Sequence, residues 1–337
     1  MADNKLVDFL RSLKVTYSAY NLLHSSQLAH NKAPYKNAGL RKALFQSISS
    51  KDFKGLPVGD IPWMDKDVSY EDVKQKLRAE QSEYISTNKE HNKKRISTNF
   101  TDDVKEQILA WKENGYLVLK SFITPQVADS INKEIEDLLA EKKVEFTLGN
   151  KVMFANKQSK IIQSIATQKS ITDILSFILG REVVPFQTIN FITGSQQHAH
   201  SDSIHMTTYP LGYLIAIWVA LEDVDETNGP LCYYPGSHKL PYILNHDYER
   251  GGNALTVGAD SNYLKYEEKI GEVVRTTNFT KKIFIAKKGD VLIWHANLIH
   301  GGEKITNPNS TRKSMVVHYF AKDVIKYHEI TERPALL

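Results

Sequence analysis

Apolar positions along the chain follow a helical period first and a strand period later. In TDDVKEQILAWKENGYLVLKSF (101–122), Val104, Ile108 and Trp111 share one helical face, Gly115 stops the helix, and YLVL reads as a short buried strand. The next segment offers Thr124 as an N-cap, Pro125 at the first helical position, and an apolar stripe of Ile131, Ile135 and Leu138. QKSITDILSFILG predicts another helix. Beyond it the pattern changes to VVPFQTINFIT, LIAIWVALEDV, CYYPGSH, KKIFIAKKGDVLIWH and RKSMVVHYFAK. Short apolar or alternating runs divided by Gly, Pro and Asn predict an antiparallel sandwich or jelly roll. Helices followed by strands make the expected class α+β.

Residues 1–98 read as a helical or irregular N-terminal extension, with Leu6, Leu10 and Leu13 at helical spacing and the Pro/Gly-marked KGLPVGDIPW at 54–63. Residues 99–337 then form one domain. Within it, 239–280 is too long for an ordinary strand connection and carries Tyr242, His246, Tyr248, Arg250, Tyr263 and Tyr266. Such a segment is either an active-site lid for a polar substrate or a solvated surface loop.

Composition narrows the class. With 41% hydrophobic and 24% charged residues in 337, the chain matches soluble globular proteins. The net charge of +4 is mild and its surplus is confined to the first hundred residues, where KEHNKKR (89–95) reads as a solvated linker. That argues against nucleic-acid binding. A single cysteine, Cys232, excludes an intrachain disulfide and favours a cytoplasmic setting. The N-terminus lacks an apolar signal region, and LIAIWVAL (214–221) is too short to span a bilayer, so no membrane partner is expected.

The candidate chemistry lies in HAHSDSIH (198–205) and WHANLIHGG (294–302). An iron(II) oxygenase needs two imidazoles and one carboxylate on one face of an octahedron. His200 and Asp202, two apart in extended chain, project to the same side and can share an ion. His198 has the same parity, and the distant ligand is either His295 or His300. Arg312 follows, a guanidinium suited to gripping the far carboxylate of a dicarboxylate cosubstrate. A zinc hydrolase built on the same ligands leaves Arg312 without a task. A non-catalytic metal- or sugar-binding β-sandwich is the other alternative.

With these motifs in hand, the chain resembles the phytanoyl-CoA dioxygenase family of iron(II)- and 2-oxoglutarate-dependent oxygenases over roughly 104–322. WKENGYLVLKSFITPQVADSI, the HSD triplet at 200–202, NGPLCYYPGSHKLP at 228–241, and GDVLIWHANLIHGG followed by TRKS carry the resemblance. It implies a double-stranded β-helix (jelly roll, cupin-like) core with flanking helices. His200, Asp202 and His300 become the catalytic iron ligands, and Arg312 the anchor for 2-oxoglutarate. Ser314 would add a hydrogen bond to that carboxylate, and Gln187 and Trp218 would line the cosubstrate pocket. On their own spacing, His198, His205 and His295 are either rim or supporting residues hydrogen-bonded to a ligand or to substrate, or buried, satisfied histidines. Dioxygen and a small-molecule substrate are the implied partners, and the carboxylate of Asp202 points to hydroxylation where related halogenases carry a small residue. The resemblance leaves the oligomeric state open.

Overall fold

Thr101 ends its extended segment with a side-chain oxygen 3.4 Å from the Val104 amide, and the helix it caps, α1, runs Asp102–Asn114. Gly115 closes it in the left-handed conformation, φ 74°, its amide 2.8 Å from the Trp111 carbonyl, and β1 (Tyr116–Leu119) follows at once. Helix α2 (Pro125–Ala140) starts as expected: Thr124 accepts from the Val127 amide, Pro125 takes the first turn, and Ile131, Ile135 and Leu138 are buried. Two further helices, α3 (Lys160–Ala166) and α4 (Lys169–Leu179), complete the group. The computed structural model describes Leu13, Val15 and residues 100–147, 149–209, 211–243, 261–321, 325–328 and 333–334. The expected N-terminal extension, with Leu6 and Leu10, lies outside the described residues, as do His246, Tyr248 and Arg250 of the long insertion.

The strands form antiparallel sheets. β2 (Phe146–Thr147), β3 (Lys151–Met153), β4 (Val183–Phe191), β6 (Leu214–Ala220), β9 (Val291–His295) and β11 (Ser314–Ala321) join β1 in the order β1-β9-β6-β11-β4-β3-β2. A second sheet has the order β10-β7-β8, from β7 (Leu231–Tyr233), β8 (Lys282–Phe284) and β10 (His300–Gly302). A third pairs β5 (Thr207–Tyr209), β12 (Ile325–His328) and β13 (Arg333–Pro334).

Alternation along the central strands assigns their two faces. Ile215, Ile217 and Val219 of β6, Val291 and Ile293 of β9, and Met315 and Val317 of β11 pack into one cluster with the helices. Their neighbours Ala216, Trp218, Leu292, Trp294 and Val316 pack with Leu231, Tyr233 and Phe284 of the second sheet. A strand covered on both faces needs no polar positions, which is why LIAIWVA lacks alternation and every one of its residues is buried. The site is built at the end of the inter-sheet layer.

Candidate active site

His200 and His300 are joined through their backbones. Each donates its amide to the other's carbonyl at 2.9 Å, an isolated antiparallel bridge that brings segment 198–202 alongside β10. Gly301 and Gly302 permit the approach: a Cβ on Gly301 would sit 2.9 Å from the Gln197 carbonyl, and one on Gly302 2.8 Å from Ser195 Oγ. The two imidazole centroids are 4.4 Å apart. His200 Nδ1 lies 2.8 Å from the His198 carbonyl, and His300 Nδ1 2.9 Å from that of Leu298. A carbonyl only accepts, so both rings carry hydrogen on Nδ1 and turn Nε2 toward Asp202. Burial, reinforced by neighbouring His300, keeps the His200 pKa well below the usual imidazole range, so its ring is neutral at physiological pH.

Asp202 completes the group. Its Oδ1 lies 3.6 Å from His300 Nε2 and 4.0 Å from His200 Nε2, and one ligand atom from each of the three residues lies within 4.8 Å of the others. Its other oxygen, Oδ2, accepts from Trp294 Nε1 at 2.8 Å and has His318 Nε2 at 3.5 Å. Burial alone would raise the pKa of this carboxyl, but His300, His318 and His200 together hold it well below the usual carboxylate range. A carboxylate oxygen and two imidazole Nε2 atoms, all buried and converging, match the donor set of a 2-His-1-carboxylate iron site. With Oδ2 occupied by Trp294, Oδ1 alone is turned toward the imidazoles.

These residues open on a pocket with about 490 Å³ of empty space, part of it facing solvent. Arg312 and Trp218 line it, with Lys151, Gln197, Phe191 and His318. Arg312 is buried, its Nε has no hydrogen-bond partner, and no carboxylate among the described residues pairs with it. Its guanidinium lies 5.4 Å from the Trp218 ring centre and 5.6 Å from that of Phe191, and burial pushes its pKa down to about 10. Ser314 is also buried with an unpartnered hydroxyl, and Gln187 stands opposite His318 in the β4–β11 register; neither is among the residues that line the pocket.

The remaining histidines separate. His295 follows inward-facing Trp294 and therefore points the other way, packing on Trp111, His238 and Tyr242, where burial lowers its pKa to about 3. It is absent from the pocket, which His300 lines. His198 is exposed and meets His200 through its carbonyl. His205 stacks on Tyr263 at 5.3 Å. Three site residues went unremarked in the sequence. His318 had a usable signal, since it shares the two-residue parity of Arg312 and Ser314; Trp294 and Lys151 carried none beyond their strands.

A family model described as phytanoyl-CoA dioxygenase (PhyH) matches residues 111–314. The human peroxisomal phytanoyl-CoA dioxygenase is 26% identical over 249 residues, covering 65% of this chain and 68% of its own. Ectoine dioxygenase of Nocardia farcinica is 24% identical, covering 60% and 73%. Among solved structures, the epimerase SnoN in complex with Fe3+, alpha ketoglutarate and nogalamycin RO superposes with a TM-score of 0.51 at 19% identity, covering 69% of this chain and 86% of that one. That likeness shows a shared fold.

Proposed function

The chain belongs to the phytanoyl-CoA dioxygenase (PhyH) family, and from that premise we infer that it is a dioxygenase with iron(II) as cofactor and 2-oxoglutarate as cosubstrate. Our finer proposal is that it hydroxylates an unactivated C–H bond of a small polar metabolite. One observation carries it: the Nε2 atoms of His200 and His300 and Oδ1 of Asp202 converge in the pocket that Arg312, its Nε without a hydrogen-bond partner, also lines.

His200, Asp202 and His300 would hold the iron, and Arg312 would receive the distal carboxylate of 2-oxoglutarate in two parallel bonds. Trp218 would line that cosubstrate; the roles first expected for Ser314 and Gln187 would need a contact beyond the pocket lining, which includes neither. When bound, iron and 2-oxoglutarate supply the activation of dioxygen: one oxygen atom enters succinate as carbon dioxide leaves, and the other enters the substrate as hydroxyl. The chain's own residues position and tune. The carbonyls of His198 and Leu298 hold hydrogen on each Nδ1, and Trp294 and His318 orient the carboxylate. Lys151, largely buried on the same wall, adds a second positive group and favours an anionic or strongly polar ligand.

The proposed domain is 99–337 on a double-stranded β-helix, with 1–98 as an extension and 239–280 as an insertion. A cytoplasmic setting is supported by the single, buried Cys232. Among the described residues no helix is long and apolar enough to cross a membrane. A zinc hydrolase reading gives Arg312 nothing to bind. The test is succinate formation from 2-oxoglutarate with iron(II) and air, screened against pools of small polar metabolites. At least one pool is expected to stimulate turnover in proportion to its concentration; no stimulation by any pool would overturn the substrate class.

A further inference from the structure

Resting on the iron reading above, we propose that Tyr266, on the helix of the long insertion, is a positioning residue that holds the His200–Ser201–Asp202 turn in ligating geometry. In extended chain, consecutive residues aim their amides and carbonyls to opposite sides. The backbone groups of His200 are taken by His300 on one side. Those of Ser201 point the other way, where no strand among the described residues pairs with them and the only backbone bond is from the Ile204 amide to the Ser201 carbonyl at 3.3 Å.

The hydroxyl of Tyr266 fills that role. It accepts from the Ser201 amide at 2.8 Å, stands 3.3 Å from the Ser201 carbonyl, and lies 3.0 Å from Ser201 Oγ. Tyr266 itself is fully buried in helix α5 (Ser261–Thr276). The same helix packs Tyr266 and Ile270 against Ile204, two residues after Asp202, and Ile299, one before His300. The insertion thus reaches both ligand-bearing segments, and one hydroxyl contacts the residue between the paired ligands. This makes the Tyr266 hydroxyl a clasp on the ligand-bearing turn. Tyr263, one turn earlier, meets the pocket side through Gln197 and His205.

Tyr266→Phe keeps the ring and removes only the hydroxyl. The expected result is iron(II) affinity reduced about 10–100-fold, the range for groups that orient metal ligands, measured by anaerobic equilibrium dialysis. In the metal-free variant the Ser201 amide should exchange hydrogen faster. Ile270→Val, which loosens the same cluster without touching Ser201, should lower the melting temperature yet leave iron affinity within about twofold. Iron affinity unchanged in Tyr266→Phe would overturn the clasp, and so would equal weakening in both variants, since packing alone would then explain the effect. Wild-type protein that binds no stoichiometric iron would overturn the metal reading and the clasp together, which separates the two failures.

Discussion

Asp202→Ala removes succinate formation and leaves the fold in place. The expected fall in kcat exceeds about 100-fold, beyond the range for residues that merely orient ligands, because among the described residues Oδ1 is the only carboxylate oxygen turned toward the His200 and His300 rings. The substitution also strips Trp294 Nε1 of its acceptor and leaves His318 facing a space. A buried unpaired donor costs about 1–3 kcal/mol, so the melting temperature should drop modestly while the variant remains folded. His198→Ala is the contrast. Its side chain is exposed and its contribution to His200 is a main-chain carbonyl, which alanine retains. Turnover and iron content of His198→Ala should match the parent, whereas His200→Ala should lose the metal. Steady-state kinetics with metal analysis on the three variants checks the set.

Arg312→Met raises the KM for 2-oxoglutarate at least about 30-fold, from the roughly 2–5 kcal/mol lost when one partner of a buried charged contact is truncated. The ligand-free protein should move in the opposite direction. Arg312 lies buried beside Phe191 and Trp218 with an unpartnered Nε, and burial has already pushed its pKa down to about 10. Desolvating a guanidinium without a hydrogen-bonded carboxylate destabilises the fold, and the two rings and the more distant Glu222 offset only part of that. Methionine packs on the same rings without the charge, so the melting temperature without 2-oxoglutarate should rise by about 2–4 °C. Added 2-oxoglutarate should stabilise the parent and leave the variant nearly unmoved. A parent and variant with equal KM would remove Arg312 from the cosubstrate site.

Much of this was legible because periodicity and spacing are local. Thr124, Pro125 and the Ile131–Ile135–Leu138 stripe specified α2 almost to the residue. The i, i+2 relation of His200 and Asp202 placed both on one side of the chain, and the family resemblance chose His300 over His295, which follows inward-facing Trp294. What the sequence hid is what folding brings from afar. Trp294 reaches Asp202 across ninety-two positions, and Tyr266 reaches Ser201 across sixty-five. Lys151 comes to the pocket from a three-residue strand that pairs with β4 opposite Phe191. The insertion read as a lid or a loose loop, yet its helix buries Tyr266 and Ile270 against the ligand segments. No local pattern encodes such contacts, because they depend on which strands become neighbours.

The central claim is that His200, Asp202 and His300 hold iron(II) in the pocket where Arg312 binds 2-oxoglutarate, and an anaerobic spectrophotometric titration tests it most directly. Iron(II) added with 2-oxoglutarate to the wild-type protein should produce a weak visible charge-transfer band that saturates at one iron per chain and is absent from His300→Ala. A wild-type protein that gives no band, or a His300→Ala variant that gives the same one, would contradict it.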